Sequence, residues 1–230
     1  LGMVDRIKYN RKNLVRRSAR ISLYIIMLLG FYLRFSAANH PYISLWDEAY
    51  HAVVAKNMLS NPLKPVLYKN PVLEYDFKNW TNNHIWLHKP PVTFWLMALS
   101  IYISGDEEII FRMPSIILST LSIFVTFFCG RHLVGIIPAL IASFFQSINP
   151  LYIRLVSGTI PVDHVDVVFS FFVQITFFSF VTAGRKNSHF LFLLSGILLG
   201  LGYLTKSLPI FVSFAATIPI LWNGKQFIKP

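Results

Sequence analysis

Asp47 and Glu48 stand side by side in the stretch Ser44-Leu45-Trp46-Asp47-Glu48-Ala49-Tyr50-His51, about ten residues beyond an apolar run. Two carboxylates directly before a helix-like run (49–59) could take a proton from an attacking hydroxyl. They could also do something plainer. Ser44 and Asp47 are three apart, close to capping-box spacing, so Asp47 would then only close a helix N-terminus. The two roles are compatible, and the rest of the chain must decide between them.

Three cations elsewhere share a local design. Lys89 precedes Pro90-Pro91, Arg112 is followed by Pro114, and Lys206 is followed by Pro209. Proline is favoured in the first turn of a helix, so each cation is expected near a helix N-terminus. A cation there is disfavoured by the helix dipole, by about a few tenths of a kcal/mol. The placement makes sense if an anion is shared between free N–H groups and the side chain. At headgroup depth that anion would be a lipid phosphate. For any one of these residues, anchoring in the membrane interface is the simpler reading. Three together on one face argue for more.

The elements that must position these groups are membrane helices. Of 230 residues 54% are hydrophobic and only 13% charged, and the mean hydropathy is +0.54. The fold class is therefore all-α, a polytopic transmembrane helical bundle. The net charge of +11 does not point to nucleic acid, because seven of the 21 basic residues crowd into the first 20 positions beside the first apolar run. There they read as a topology signal that keeps residues 1–20 cytoplasmic. A cleaved signal peptide competes for the same stretch, but Arg34 interrupts the late apolar region and more spans follow. The lone cysteine, Cys129, excludes an intrachain disulfide.

The first span, 21–37, then delivers Asp47 and Glu48 to the outer face. The outer first loop covers 38–111 and is rich in Asn, Pro, Tyr and Trp; Asn79-Trp80-Thr81 fits a glycosylation acceptor. Residues 90–104 are apolar but short for a span. Keeping them on the outer face as a juxtamembrane helix puts every later basic loop inside. Spans follow at 113–130, 133–148, 162–183, 189–205 and 208–222, with 149–161 as an outer loop carrying Arg154. That makes six spans with both ends cytoplasmic, in one membrane module over 21–230 whose C-terminal part is expected to be missing.

With these residues in place, the chain resembles the superfamily of protein O-mannosyltransferases and lipid A aminoarabinose transferases, polyprenyl-phosphate-dependent glycosyltransferases of the GT-C class. The likeness rests on Trp46-Asp47-Glu48-Ala49-Tyr50, on His88-Lys89-Pro90-Pro91 with Trp95, on Arg112-Met113-Pro114-Ser115 and on the run from Gly200 to Ser207. Asn149-Pro150 and Pro161-Val162-Asp163 match more faintly. The resemblance implies an integral-membrane enzyme moving a sugar from a polyprenyl-phosphate donor to a lipid or protein hydroxyl on the extracytoplasmic face. That face belongs to the cell membrane, or to the endoplasmic reticulum in a eukaryote. It implies Asp47 as catalytic base with Glu48 beside it, and Lys89 and Lys206 facing the donor phosphate with Arg112 in support. Asp163 is then the second outer acid, with Asp166 as the alternative, and Tyr50 and His88 contact substrate. His88 replaces the Glu of the aminoarabinose enzymes, which blurs the subfamily.

No cofactor is expected. His84 and His88 have a spacing that could chelate a metal on a helix, but no cysteine is near and Pro90 starts the next helix. A transporter or a non-catalytic assembly subunit are the competing functions. Against the transporter, Arg34 is the only ionisable residue within an apolar run, and no inverted repeat is visible. Because Glu48 is one residue on from Asp47 and points elsewhere on a helix, its loss is expected to matter less.

Overall fold

A computed structural model describes residues 3–79, 83–160 and 164–227. All its regular structure is helical apart from one bridge, Val66 to Ile85, in the first loop. Helix α1 (Met3–Ala38) carries the basic segment and the first span as one continuous rod. It is followed by α2 (Asp47–Met58), α3 (Val92–Ser104), α4 (Glu108–Leu133), α5 (Ile136–Ser147), α6 (Pro150–Val156), α7 (His164–Lys186) and α8 (His189–Lys206). A 3-10 turn (Leu208–Ile210), α9 (Phe211–Ala215) and α10 (Thr217–Phe227) complete the order.

Among the described residues four helices are long and apolar enough to cross a membrane: α1, α4, α7 and α8. A fifth crossing exists if α5 and α6, which meet at 44°, form one broken span. The sixth span expected at 208–222 is instead split into three short pieces. Pro219 has no N–H to donate to the preceding turn, so it suits the first turn of the new helix α10 better than the middle of a continuous one. Residues 149–161, expected as an outer loop, contain α6. Asn149 caps it, its side-chain oxygen accepting from Leu151 N at 3.0 Å and Tyr152 N at 3.4 Å, with Pro150 at the first helical position.

Arg34 holds that break together. It is fully buried in α1, donating from Nε to Ser119 Oγ at 3.0 Å and from Nη1 to Gly30 O at 2.9 Å. Nη1 also reaches Ser147 O at 2.8 Å, and Nη2 reaches Gln146 O at 3.0 Å. The last carbonyls of a helix lack intrahelical partners and carry the negative end of its dipole, so a cation at the end of α5 satisfies both demands. The buried charge inside an apolar run is thus a helix clamp. Lysine has neither the fork nor the reach in several directions. Arg34→Lys is therefore expected to lower stability in detergent by on the order of 2–3 kcal/mol, through unsatisfied buried carbonyls. A melting temperature unchanged from wild type would remove Arg34 from this role.

Helix α4 is the hub, packing against α1, α3, α5 and α7. The 13-residue α3 is about 20 Å long at 1.5 Å per residue, too short for a hydrocarbon core of roughly 30 Å. It packs on α2 and α4 through Phe94, Met97, Ala98 and Ile101, against Val54, Met58, Trp86 and Phe111. This cluster seats the acid-bearing helix α2 on the bundle. A second cluster joins Ala38, Ile116, Leu155, Val156 and Val167.

Candidate active site

Helix α2 begins at Asp47 itself, so the expected capping box does not form. The residue before it, Trp46, has φ 68° and ψ −120° and makes no side-chain cap. Ser44 offers its backbone N–H not to Asp47 but to Glu48 Oε2, at 2.6 Å. Asp47 sits in the first turn, where a negative charge is favoured by the helix dipole. Its Oδ2 lies 3.3 Å from Lys89 Nζ, and both side chains are part-exposed (39% and 27%), so this pair is open to a ligand.

Glu48 is the opposite case, 4% exposed. Arg112 Nε donates to Oε1 at 2.7 Å and Nη2 to Oε2 at 3.3 Å, while His164 Nε2 lies 3.0 Å from Oε1. Burial pushes this carboxyl up, but hydrogen bonds from His164 and Arg112 overcome it and hold the group down to about 2. Gly158, at φ +68°, leaves the room: a Cβ there would stand 2.5 Å from both carboxylate oxygens. Only a residue without a side chain lets the chain pass so close in a left-handed conformation.

Arg112 is fully buried, and all five of its N–H groups have partners. Beyond Glu48, Nη1 donates to Ala38 O at 2.8 Å and His40 O at 3.0 Å, and Nη2 to Tyr42 O at 2.6 Å. Arg112 was expected to support a donor phosphate; in the structure every one of its N–H groups is turned to a protein acceptor. It ties the end of α1 and the following loop to α2. It also lies in the second turn of α4, which starts at Glu108, with Pro114 inside the helix rather than opening it.

Lys206 is likewise not at a helix N-terminus alone. It ends α8, where a cation suits the dipole, and the 3-10 turn holding Pro209 follows. Its Nζ pairs with Asp166 in the first turn of α7. Asp163 falls outside the described residues, as do Trp80 and Thr81 of the glycosylation pattern. Tyr50 stacks on Trp86 with ring centroids 5.7 Å apart, and His88 meets the same indole at 4.6 Å. Both side chains are exposed; Tyr50 lies three residues after Asp47 on α2, and His88 directly precedes Lys89. His84 and His88 lie in non-helical chain on either side of the bridge residue Ile85 and do not share a helix face. Among the described residues no group of three His, Cys, Asp or Glu side chains is placed to hold a metal ion.

Sequence reasoning missed His164, His40 and Gly158. His40 receives Arg112 Nη1 at 3.4 Å on Nδ1, and its Nε2 lies 2.8 Å from Ser157 O. The one available signal was a histidine directly after Pro161-Val162-Asp163, at the mouth of a span.

Apolar crossing helices around α4, with an acid-bearing surface helix locked to them by a buried Arg–Glu–His cluster, define a multi-pass membrane protein with a built polar site at one end. The chain belongs to the dolichyl-phosphate-mannose-protein mannosyltransferase family, a GT-C type of glycosyltransferase, which it matches over residues 88–230. Asp47, Glu48 and Tyr50 lie ahead of that match. An uncharacterised protein of Aquifex aeolicus (strain VF5) is 28% identical over 196 residues. That comparison covers 84% of this chain but 35% of the relative, so the chain spans about a third of its relative's length. No solved structure matches.

Proposed function

We propose that the chain is the membrane module of a glycosyltransferase that moves a sugar from a polyprenyl phosphate to a lipid or protein hydroxyl. The reaction takes place on the extracytoplasmic side of the membrane. The observation that carries this is the Asp47–Lys89 pair: a part-exposed carboxylate at a helix N-terminus, 3.3 Å from a part-exposed lysine, at the mouth of a helical bundle of this family.

In this reading Asp47 takes the proton of the acceptor hydroxyl as its oxygen bonds to the sugar's anomeric carbon. The bond from that carbon to the phosphate oxygen breaks, and the polyprenyl phosphate leaves with the electron pair. Lys89 and Lys206 stabilise it; each holds a carboxylate in the ligand-free protein and can turn to the stronger phosphate anion. The leaving group needs no acid, because charge develops on oxygens that are already anionic. Asp163 is proposed as the second outer acid, and Tyr50 and His88 as ring contacts for substrate. Glu48 positions Asp47 rather than reacting.

The test is transfer of label from a radiolabelled polyprenyl-phosphate sugar, mannose and a pentose in parallel, into lipid and protein fractions of membranes holding the full-length protein. Label above that of membranes lacking the protein is expected. No transfer of either sugar would overturn the reading.

A further inference from the structure

We infer that His164 is a positioning residue for the proposed reaction, steering Asp47 through the carboxylate of Glu48. This rests on the reading of Asp47 as the base. The geometry around the imidazole carries the inference.

His164 is the first residue of α7, and its side chain is completely buried. It touches two other helices. Nε2 lies 3.0 Å from Glu48 Oε1 on α2, and Nδ1 lies 3.0 Å from Ser115 Oγ on α4. Phe111 closes its ring edge-on at 5.3 Å. The Glu48 carboxylate can only accept, so Nε2 carries the proton on that side. In the neutral ring Nδ1 then accepts from the Ser115 hydroxyl, giving a directed chain from Ser115 through His164 to Glu48. Fixing one ring nitrogen through the partner of the other is how a histidine is locked in tautomer and orientation.

Arg112 supplies charge to Glu48 and ties it to the α1–α2 connection. It cannot by itself set how deep α2 sits against α7. His164 supplies that second direction. Glu48 is bonded from α4, from α7 and from the Ser44 N–H, so the adjacent Asp47 is held from three sides. A base must sit within hydrogen-bond reach of its proton, and a displacement of about 1 Å can cost on the order of 100-fold in rate.

Two substitutions of similar polarity separate positioning from mere packing. In His164→Gln the amide nitrogen can occupy the place of Nε2 and still donate to Glu48. In His164→Asn it reaches only the place of Nδ1, keeping Ser115 and losing Glu48. In the full-length protein, His164→Asn is expected to lower kcat by about 10- to 100-fold with the donor KM within about twofold, while His164→Gln stays within about threefold of wild type.

A second readout does not depend on turnover. With Cys129 replaced by Ser, the thiol of Asp47→Cys is labelled with a charged maleimide. Its rate is expected to change at least about threefold in the His164→Asn background and to hold in His164→Gln, because only the former releases Glu48. Equal labelling and equal turnover in the two backgrounds, or losses that simply follow the melting temperature, would overturn the inference. If wild type transfers no sugar at all, the proposed function fails, and the labelling rates still decide whether His164 positions residue 47.

Discussion

Asp47→Asn in the full-length protein is expected to fold, insert and bind donor, yet lose transfer by about 100- to 10,000-fold, the usual worth of general-base catalysis. The structural cost is small for identifiable reasons. Asp47 makes no cap bond to α2, and its contact with Lys89 is a part-exposed pair worth about 0–1 kcal/mol. The favourable dipole at the first turn adds only about a few tenths more. Asparagine keeps the size and the polarity, but it cannot accept the proton of an acceptor hydroxyl. The measurement is turnover with a labelled polyprenyl-phosphate sugar beside a melting curve in detergent. A protein that melts near wild type and turns over near wild type removes Asp47 from the chemistry. One that melts much earlier shows that the residue is structural after all.

Much of the fold was legible because bilayer physics writes itself into composition. The apolar runs that became α1, α4, α7 and α8 needed only length and low charge to be found. The apolar run 90–104 was read as too short to cross, and α3 has the expected length and an intimate seat on α2 and α4. What stayed hidden were breaks and partners. Asn149-Pro150 reads equally as a loop and as a cap with its helix, and only packing on the bundle selects the second. The runs at 133–148 and 208–222 look like spans by hydropathy, but Gly135 at φ +102° and Pro219 fix where the helices begin.

The site shows the same divide. The acids and cations were visible as residue types, but their roles depended on burial, which local sequence does not encode. Arg112 and Lys89 look alike as cations before proline. One is completely enclosed and bonded to three backbone carbonyls, and the other is part-exposed and paired with Asp47. His164 had only its place after Pro161-Val162-Asp163 to mark it, and its two partners are 49 and 116 residues away in the chain.

For stability, as distinct from turnover, burial makes Glu48 the more sensitive of the two acids. Glu48→Gln is expected to be the more damaging change, costing about 3–5 kcal/mol, because it strands the buried Arg112 cation. The glutamine oxygen can accept from one neighbour, but its amide then faces the donors of Ser44, Arg112 or His164. The pH dependence identifies the cause. In the folded protein the Glu48 carboxyl is held down to about 2 from an ordinary value of 4.5. Its contribution is therefore complete above about pH 4.5 and is lost as pH falls towards 2. Burial, reinforced by the charge of Lys89, lowers His51 to about 3 from 6.5. The unfolded chain thus binds that proton first, and both proteins lose stability as pH falls from about 6.5 to 3. The difference between wild type and Glu48→Gln, read as two melting curves across pH, is expected to be flat from pH 7 to about 5 and to narrow below 4.5. A variant that melts with wild type at pH 7, or a gap that stays constant down to pH 3, would mean that the ion pair with Arg112 does not hold α2 in place.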